Sequence, residues 1–163
     1  MLKETDEKAE EDLEKVYIDL PNHWAVGGES IWARPLGNDL YEIHNVPFYA
    51  YGLNYFDVVK VDSSDLTNKP VVLEVVEPSG YQTLRVVFYE DFDGKSQTEL
   101  FDQLRHFKVD VERDNESYVA LNIYPDGDYD SVYDKLSDLE NEGVLEFETC
   151  EAHNSNNFDV ADE

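Results

Sequence analysis

"SQTELFDQLRHFKVDVERDNESYVALNIY", residues 96–124, decides the fold because its pattern changes once, from helical to strand-like. The first part places four large apolar side chains on one helical face: Leu100, Phe101, Leu104 and Phe107. Ser96 precedes Glu99 by three residues, the spacing of a capping box, so we expect the helix to begin there. The remainder predicts two strands, 108–113 and 117–124, joined by a turn.

The flanking segments extend this helix and hairpin into a larger unit. Residues 83–89 and 144–150 have strand patterns, and residues 129–143 form a helical pattern that ends at Gly143. We expect the inward-facing side chains of this region to be Val119, Leu121, Ile123, Val132, Leu136, Leu139, Leu145 and Phe147. The order β-α-β-β-α-β over residues 83–150 is the split-βαβ, ferredoxin-like arrangement.

The preceding part of the chain, residues 16–82, has strand patterns without a helical period between them. Gly-Gly, Gly-Asn-Asp and Ser-Ser-Asp turns separate the strands. The expected strands are 15–21, 29–36, 40–46, 57–62 and 69–77. Short strands at this spacing predict a small antiparallel sheet or barrel, so the fold class is α+β.

The two ends of the chain lack this patterning. Residues 1–15 are rich in charge, and residues 151–163 are rich in Asn and Ser. We expect both to be flexible, solvated tails, the first of them acidic.

The charge of the chain restricts its partners. The 163 residues include 12 Lys and Arg against 38 Asp and Glu, a net charge of −26, while 41% apolar residues are ample for a core. Such a molecule repels nucleic-acid backbones and anionic membrane surfaces. Residues 90–150 hold 18 acids against five bases, which is half of the net charge. We therefore expect a basic protein partner that meets this half of the chain.

The expected location is the cytoplasm. Cys150 is a single thiol, so no internal disulfide can form, and the amino-terminal residues do not resemble a signal peptide. No apolar stretch reaches membrane-spanning length.

Residues 45–59, "NVPFYAYGLNYFDVV", concentrate aromatic side chains around a bend. We expect Phe48 and Phe56 to be packing residues that anchor the barrel to the ferredoxin-like half, and the tyrosines to lie at the edge of the barrel with their hydroxyls in water. A binding surface formed by these tyrosines is the alternative, because tyrosine is a common interface residue. Tyr51 is the residue of this stretch that we include among candidate partner contacts.

Residues 126–137 suggest a calcium loop but do not complete one. Asp126, Asp128 and Asp130 alternate as such a loop requires, yet Ser131 and Ser137 occupy the positions of its Gly and its bidentate Glu. A helix cap formed by Asp128 or Asp130 explains the pattern. The four histidines have no metal-ligand spacing, so no metal site is expected.

The second helix and the residues before it carry the densest acidic cluster. It comprises Asp126, Asp128, Asp130, Asp134, Asp138, Glu140 and Glu142, with few lysines to match. Such runs often belong to a solvated helix face. The density here favours a docking surface for a cationic partner.

No pattern of catalytic residues stands out. Glu29, Asp57, Thr83 and Arg85 could form an acid/base pair with an anion clamp, but carboxylates at strand ends more often form ion pairs. Phosphate loops, nucleophile elbows and thiol/His signatures are missing from the sequence. We expect no enzymatic activity and no cofactor.

Three segments resemble an uncharacterised bacterial family, domain of unknown function 4265. They are "ESIWARPL" (29–36), "YEIHNVPFYAYGLNYFDVVKV" (41–61) and "SGYQTLRVVF" (79–88). The resemblance covers roughly residues 16–148. It implies a shared fold and supplies no activity.

The leading functional hypothesis is an acidic binding or inhibitor protein. Its most concrete form is an immunity protein that neutralises a basic, nuclease-like bacterial toxin. The same features also permit DNA mimicry directed at another nucleic-acid-binding enzyme. The alternative from another class is a small-molecule sensor or regulatory ferredoxin-like module, which rests on fold analogy. A third interpretation, acidity as a solubility device in a salt-adapted host, would need no partner.

Overall fold

The computed structural model describes residues 12–154 and 157–161, and the chain divides into two compact units. Unit one is formed from the ranges Met1–Ser79 and Glu151–Glu163, and unit two from Gly80–Cys150. The predicted boundary at residue 82 lies three residues beyond the observed one. The main difference is that the segment from Glu151 belongs to unit one, not to a separate tail.

Unit one contains a closed five-stranded barrel, which confirms the predicted β part of the α+β fold. Its strands are β1 (Glu14–Asp19), β2 (Gly28–Gly37), β3 (Leu40–Ile43), β4 (Val58–Asp62) and β5 (Val71–Glu77). Sequential neighbours pair antiparallel, and a parallel pairing of β1 with β5 closes the ring.

Alternation along the barrel strands places one set of side chains inside. Buried residues occur at every second position, as in Val16 and Ile18 on β1, and Val59 and Val61 on β4. They join one apolar cluster at the centre of the barrel. Burial of this cluster is the main force that holds the short strands together.

A carboxy-terminal hairpin completes unit one. Strands β10 (Ala152–Asn154) and β11 (Asn157–Ala161) pair antiparallel. Phe158 is only 4% exposed and joins the barrel cluster, and its carbonyl accepts a hydrogen bond from the Tyr51 amide at 2.8 Å. The expected flexible tail over 151–163 is therefore wrong for these residues. Of the predicted tail 1–15, residues 1–11 lie outside the described residues, and Glu14 and Lys15 already belong to β1.

Gly52 lies where this hairpin approaches the barrel loop, and we expect Gly52→Ala to destabilise the fold by about 2 kcal/mol. Its φ is +76°, and a Cβ there would lie 2.5 Å from the Ala152 Cβ. Gly27→Ala is the matched control, because a Cβ at Gly27 meets nothing within 4 Å. Urea unfolding of both variants measures the effect, and equal stabilities would show that the close approach is not required.

Unit two is the predicted ferredoxin-like β-α-β-β-α-β unit. Its elements are β6 (Gln82–Phe88), α1 (Gly94–Arg105), β7 (Val109–Arg113), β8 (Tyr118–Ile123), α2 (Tyr129–Asn141) and β9 (Leu145–Thr149). The strand order is β7-β8-β6-β9, with all neighbours antiparallel. This order confirms the split-βαβ prediction.

The helix ends of unit two follow local capping chemistry. The Asp93 carboxylate accepts a hydrogen bond from the Ser96 amide at 2.9 Å, so α1 begins at Gly94 and the expected start at Ser96 is wrong. Asp128 caps α2 in the same way, as expected, through the Ser131 amide at 3.1 Å. The helix is capped by Asp93, three residues before Ser96, because a carboxylate is a strong acceptor at a helix amino terminus.

The core of unit two lies between its sheet and its helices. Leu104 on α1 and Leu136 on α2 are fully buried against Leu121 and Leu145 of the sheet. The predicted apolar faces of both helices are thus confirmed. Within the described part of the chain, neither helix has the length and apolar character needed to cross a membrane.

Candidate functional site

Four carboxylates of the predicted cluster form a stripe along α2. Asp130, Asp134, Asp138 and Glu142 follow one another at intervals of four residues, and all are exposed. Each such step advances about 40° around a helix, so the stripe occupies roughly 120° of the circumference. The buried Val132 lies on the opposite side. We call these four residues the acidic helix face.

The acidic helix face is not neutralised locally. Among residues 12–154 and 157–161, no side chain forms a hydrogen bond or an ion pair with its four carboxylates. α2 contains one base, Lys135, and no basic residue lies in its last turn. Carboxylates at the carboxy-terminal end of a helix oppose the helix dipole and cost stability. The sequence therefore tolerates a local cost to keep Asp138 and Glu142 there.

The other three acids of the predicted cluster have structural partners. Asp126 forms an ion pair with Lys108, and this contact lowers the pKa of the Asp126 carboxyl. Asp128 caps α2, and hydrogen bonds from Ser131 lower the pKa of its carboxyl. The Glu140 Oε2 atom accepts a hydrogen bond from the Phe147 amide of β9 at 3.0 Å. These residues thus support the helix, whereas the acidic helix face remains available for contact.

A group of rings lies beside the acidic helix face. The Tyr133 ring stacks on Tyr129 at 6.3 Å between centroids and meets Phe147 edge-on at 5.2 Å. Tyr133 remains 40% exposed. We call Tyr129, Tyr133 and Phe147 the aromatic shoulder. This group was not predicted from the sequence, although the i, i+4 spacing of the two tyrosines places them on one helix face.

Tyr51, the predicted aromatic contact, is buried and does not lie at the surface. It is 3% exposed, and its hydroxyl accepts a hydrogen bond from the Trp24 indole nitrogen at 3.3 Å. The His23 ring stacks on both, with centroid distances of 5.3 Å to Trp24 and 5.9 Å to Tyr51. The predicted partner-binding role of Tyr51 is therefore wrong for this conformation, as is the expectation that its hydroxyl faces water.

Glu29 supports the aromatic stretch. Its carboxylate accepts three backbone hydrogen bonds, from Phe48 at 2.7 Å, Tyr49 at 3.1 Å and Ala50 at 3.0 Å. Phe48 and Phe56 are half-buried and belong to neither core cluster, so these rings are not central core residues. The bend is held by hydrogen bonds to a carboxylate, and Glu29 has a structural role in place of the imagined acid/base role.

Asp57 has a comparable role at the end of the same stretch. It is buried, and it accepts hydrogen bonds from the Asn54 and Ser79 amides, both at 2.8 Å. Burial raises the pKa of the Asp57 carboxyl above its ordinary value of 3.8, although these hydrogen bonds act in the opposite direction. Asp57 therefore fastens the loop to the end of unit one.

The raised pKa of Asp57 predicts a pH dependence. With a folded-state pKa above the unfolded value of 3.8, its contribution to stability is complete below pH 3.8 and is lost as pH rises through the folded-state pKa. As pH rises through this range, we expect the wild-type chain to lose stability relative to the Asp57→Asn variant. Urea unfolding across the acidic pH range measures it. A wild-type chain that gains stability relative to Asp57→Asn as pH rises would contradict this prediction.

Thr83 and Arg85 lie on β6 in unit two, whereas Glu29 and Asp57 belong to unit one. Arg85 is buried, and its Nε donates to Glu148 Oε1 at 3.0 Å. Burial alone would lower the pKa of the Arg85 guanidinium, but Cys150, Tyr118 and Glu148 raise it above its ordinary value. The positive charge of Arg85 is thus balanced within the sheet by the Glu148 carboxylate.

A groove of about 800 Å³ opens at the start of α1, and its polar groups are used by the fold. The Arg113 guanidinium in its wall donates to Gln97 and to the carbonyls of Asn115 and Glu116. Nothing in this groove favours a particular small ligand. Within the described ranges, no group of three or more His, Cys, Asp or Glu residues is arranged to hold a metal ion.

Comparison with known proteins gives a family and a fold. The family model described as Domain of unknown function (DUF4265) matches residues 29–147. A solved structure, "Novel crystal structure of a hypothetical protein from Neisseria gonorrhoeae", is similar, with a TM-score of 0.73 and 17% sequence identity over 85% of this chain and 94% of that chain. At this identity the likeness shows the fold alone. No curated protein matches the sequence.

Proposed function

The chain belongs to the family Domain of unknown function (DUF4265), whose description names no activity, and from the surface of unit two we propose that it is an acidic binding protein for a basic protein partner. It acts by docking and not by catalysis. The most concrete version is an immunity protein that neutralises a basic, nuclease-like bacterial toxin in the cytoplasm.

The acidic helix face carries this proposal. Its four carboxylates are exposed, lack partners within the described part of the chain, and extend into a helix end where they cost stability. A solubility role would be met by acids placed anywhere on the surface. A continuous stripe whose last two acids, Asp138 and Glu142, lie at an unfavourable helix end instead supports selection for contact with positive charge.

The proposed mechanism is electrostatic occupation of a cationic cleft. A nuclease holds its substrate through Lys and Arg side chains that face phosphates. Carboxylates at intervals along a rigid helix would occupy the same side chains and exclude the nucleic acid. Long-range attraction would speed association at low ionic strength, and salt would screen it within about 10 Å at 0.1 M.

Capture of partners at two salt concentrations tests the proposal. The purified chain is the bait for the basic proteins of a bacterial lysate, beside two variants of equal charge change. The helix-face variant carries Asp134→Lys, Asp138→Lys and Glu142→Lys. The barrel control carries Asp12→Lys, Asp19→Lys and Glu77→Lys, which are exposed acids of unit one.

We expect the wild-type chain and the barrel control to capture a basic protein at low salt, and the helix-face variant to lose it. Loss of the captured protein's nuclease activity on binding would support the immunity version. Capture that survives both high salt and the helix-face substitutions would contradict the docking proposal. Equal loss in both variants would assign the effect to overall charge and not to this helix.

A further inference from the structure

We infer that the aromatic shoulder is the specificity element of this docking surface, and that it receives an arginine side chain of the partner on the exposed Tyr133 ring. This inference rests on the proposed function and identifies the contact within it. The occupant is thus an arginine-bearing, basic protein segment.

The exposed ring is positioned for such a contact. Tyr133 is 40% exposed, yet its ring is held by contacts with Tyr129 and Phe147, whose ring centroids lie 6.3 Å and 5.2 Å from its own. A fixed ring loses little side-chain entropy when a ligand stacks on it. A partly exposed, well-supported aromatic side chain is therefore a suitable interface anchor.

Carboxylates surround this ring along the helix. Asp130 precedes Tyr133 by three residues and Glu140 follows it by seven, so all three share one side of α2. Asp134 follows Tyr133 directly and continues the acidic helix face. A cation on the ring would thus lie between negative charges, and charge complementarity selects a basic occupant.

The chemistry of the shoulder favours arginine over lysine. A guanidinium is planar, stacks on an aromatic face and can bond a carboxylate through two N–H groups at once. An ammonium is more strongly hydrated and acts as a point charge. Carboxylates alone would discriminate little between arginine and lysine, so a preference for arginine would indicate contact with the Tyr133 ring.

The neighbouring sheet edge excludes one other docking mode at this position. The outward amide of Phe147 on β9 is already bonded to Glu140 Oε2 at 3.0 Å. An added strand would have to displace this hydrogen bond to pair along β9. Docking at the shoulder therefore proceeds through side chains and not through strand addition.

Binding of two synthetic peptides to the full chain tests the inference. The probes are poly-arginine and poly-lysine of equal length, titrated by calorimetry, with aromatic NMR signals recorded in parallel. The variants are Tyr133→Leu, which removes the ring, and Tyr133→Phe, which keeps it. Trp32→Leu is the control, because Trp32 is a ring of unit one with a similar exposure of 43%.

We expect the wild-type chain to bind poly-arginine about tenfold more tightly than poly-lysine, with shifts of the Tyr133 and Phe147 ring signals. Tyr133→Phe and Trp32→Leu should keep this preference, and Tyr133→Leu should remove it while poly-lysine binding is unchanged. Thermal unfolding of each variant verifies that it is folded.

The outcomes separate this inference from the proposed function. If both peptides bind equally to the wild-type chain and are lost in the helix-face variant, the arginine site is overturned while electrostatic docking stands. If the preference persists in Tyr133→Leu, the ring is not the site. If neither peptide binds, or both bind the helix-face variant undiminished, the proposed function fails together with the inference.

Discussion

Glu29→Ala is expected to lower the free energy of unfolding by about 3 kcal/mol. Hydrogen bonds to a charged acceptor each contribute about 1.5–3 kcal/mol. The expected total is smaller than the sum of three such bonds because water can replace part of them at a half-buried site. The substitution leaves the amides of Phe48, Tyr49 and Ala50 without their common acceptor. The bend that these amides form would lose its main constraint.

Glu29→Gln should have about half of this effect, since one oxygen remains while the charge is lost. Glu77→Ala is the control, because Glu77 is an exposed glutamate at the end of β5 and should change stability by less than about 0.5 kcal/mol. Urea unfolding gives all three values. A Glu29→Ala stability within that small range would mean that the carboxylate does not hold the loop.

The helix-face variant is expected to weaken association with a basic partner by on the order of 100-fold at low salt. It should also stabilise the chain by about 1 kcal/mol, because two of its new lysines lie at the carboxy-terminal end of α2 and favour the helix dipole. Surface plasmon resonance and thermal unfolding measure the two effects separately.

Opposite signs for binding and stability are the distinctive result. The barrel control should change the binding rate only modestly and lacks the helix-dipole benefit. A helix-face variant that binds poorly because it is unfolded would show a lowered melting temperature. Unchanged binding with raised stability would remove the reason to regard the acids of α2 as a contact surface.

Elements with strong local patterns could be predicted from the sequence. Leu100 and Leu104 on one helix face, and Val119 and Leu121 at alternate positions of a strand, depend only on backbone periodicity. The ferredoxin-like order follows from the sequence of such elements. The family resemblance was also confirmed by the match over residues 29–147.

Features that depend on distant residues could not be predicted. Glu29 bonds amides that lie 19 to 21 residues further along the chain, and no local pattern announces such a contact. Phe158 is one ring in a polar segment, so its burial reflects tertiary contacts. Tyr51 was misplaced for the same reason, since the side chains and backbone around it come from Trp24 and Phe158.

The carboxy-terminal hairpin makes unit two an insertion within unit one, because Gly80–Cys150 interrupts two segments of a single compact body. During translation, all of unit two is synthesised before Phe158. Domains generally fold as units during synthesis, so the nested unit can acquire its structure first. Phe158 is therefore the last residue of the barrel's apolar cluster to be synthesised, and the core of unit one is completed only after unit two.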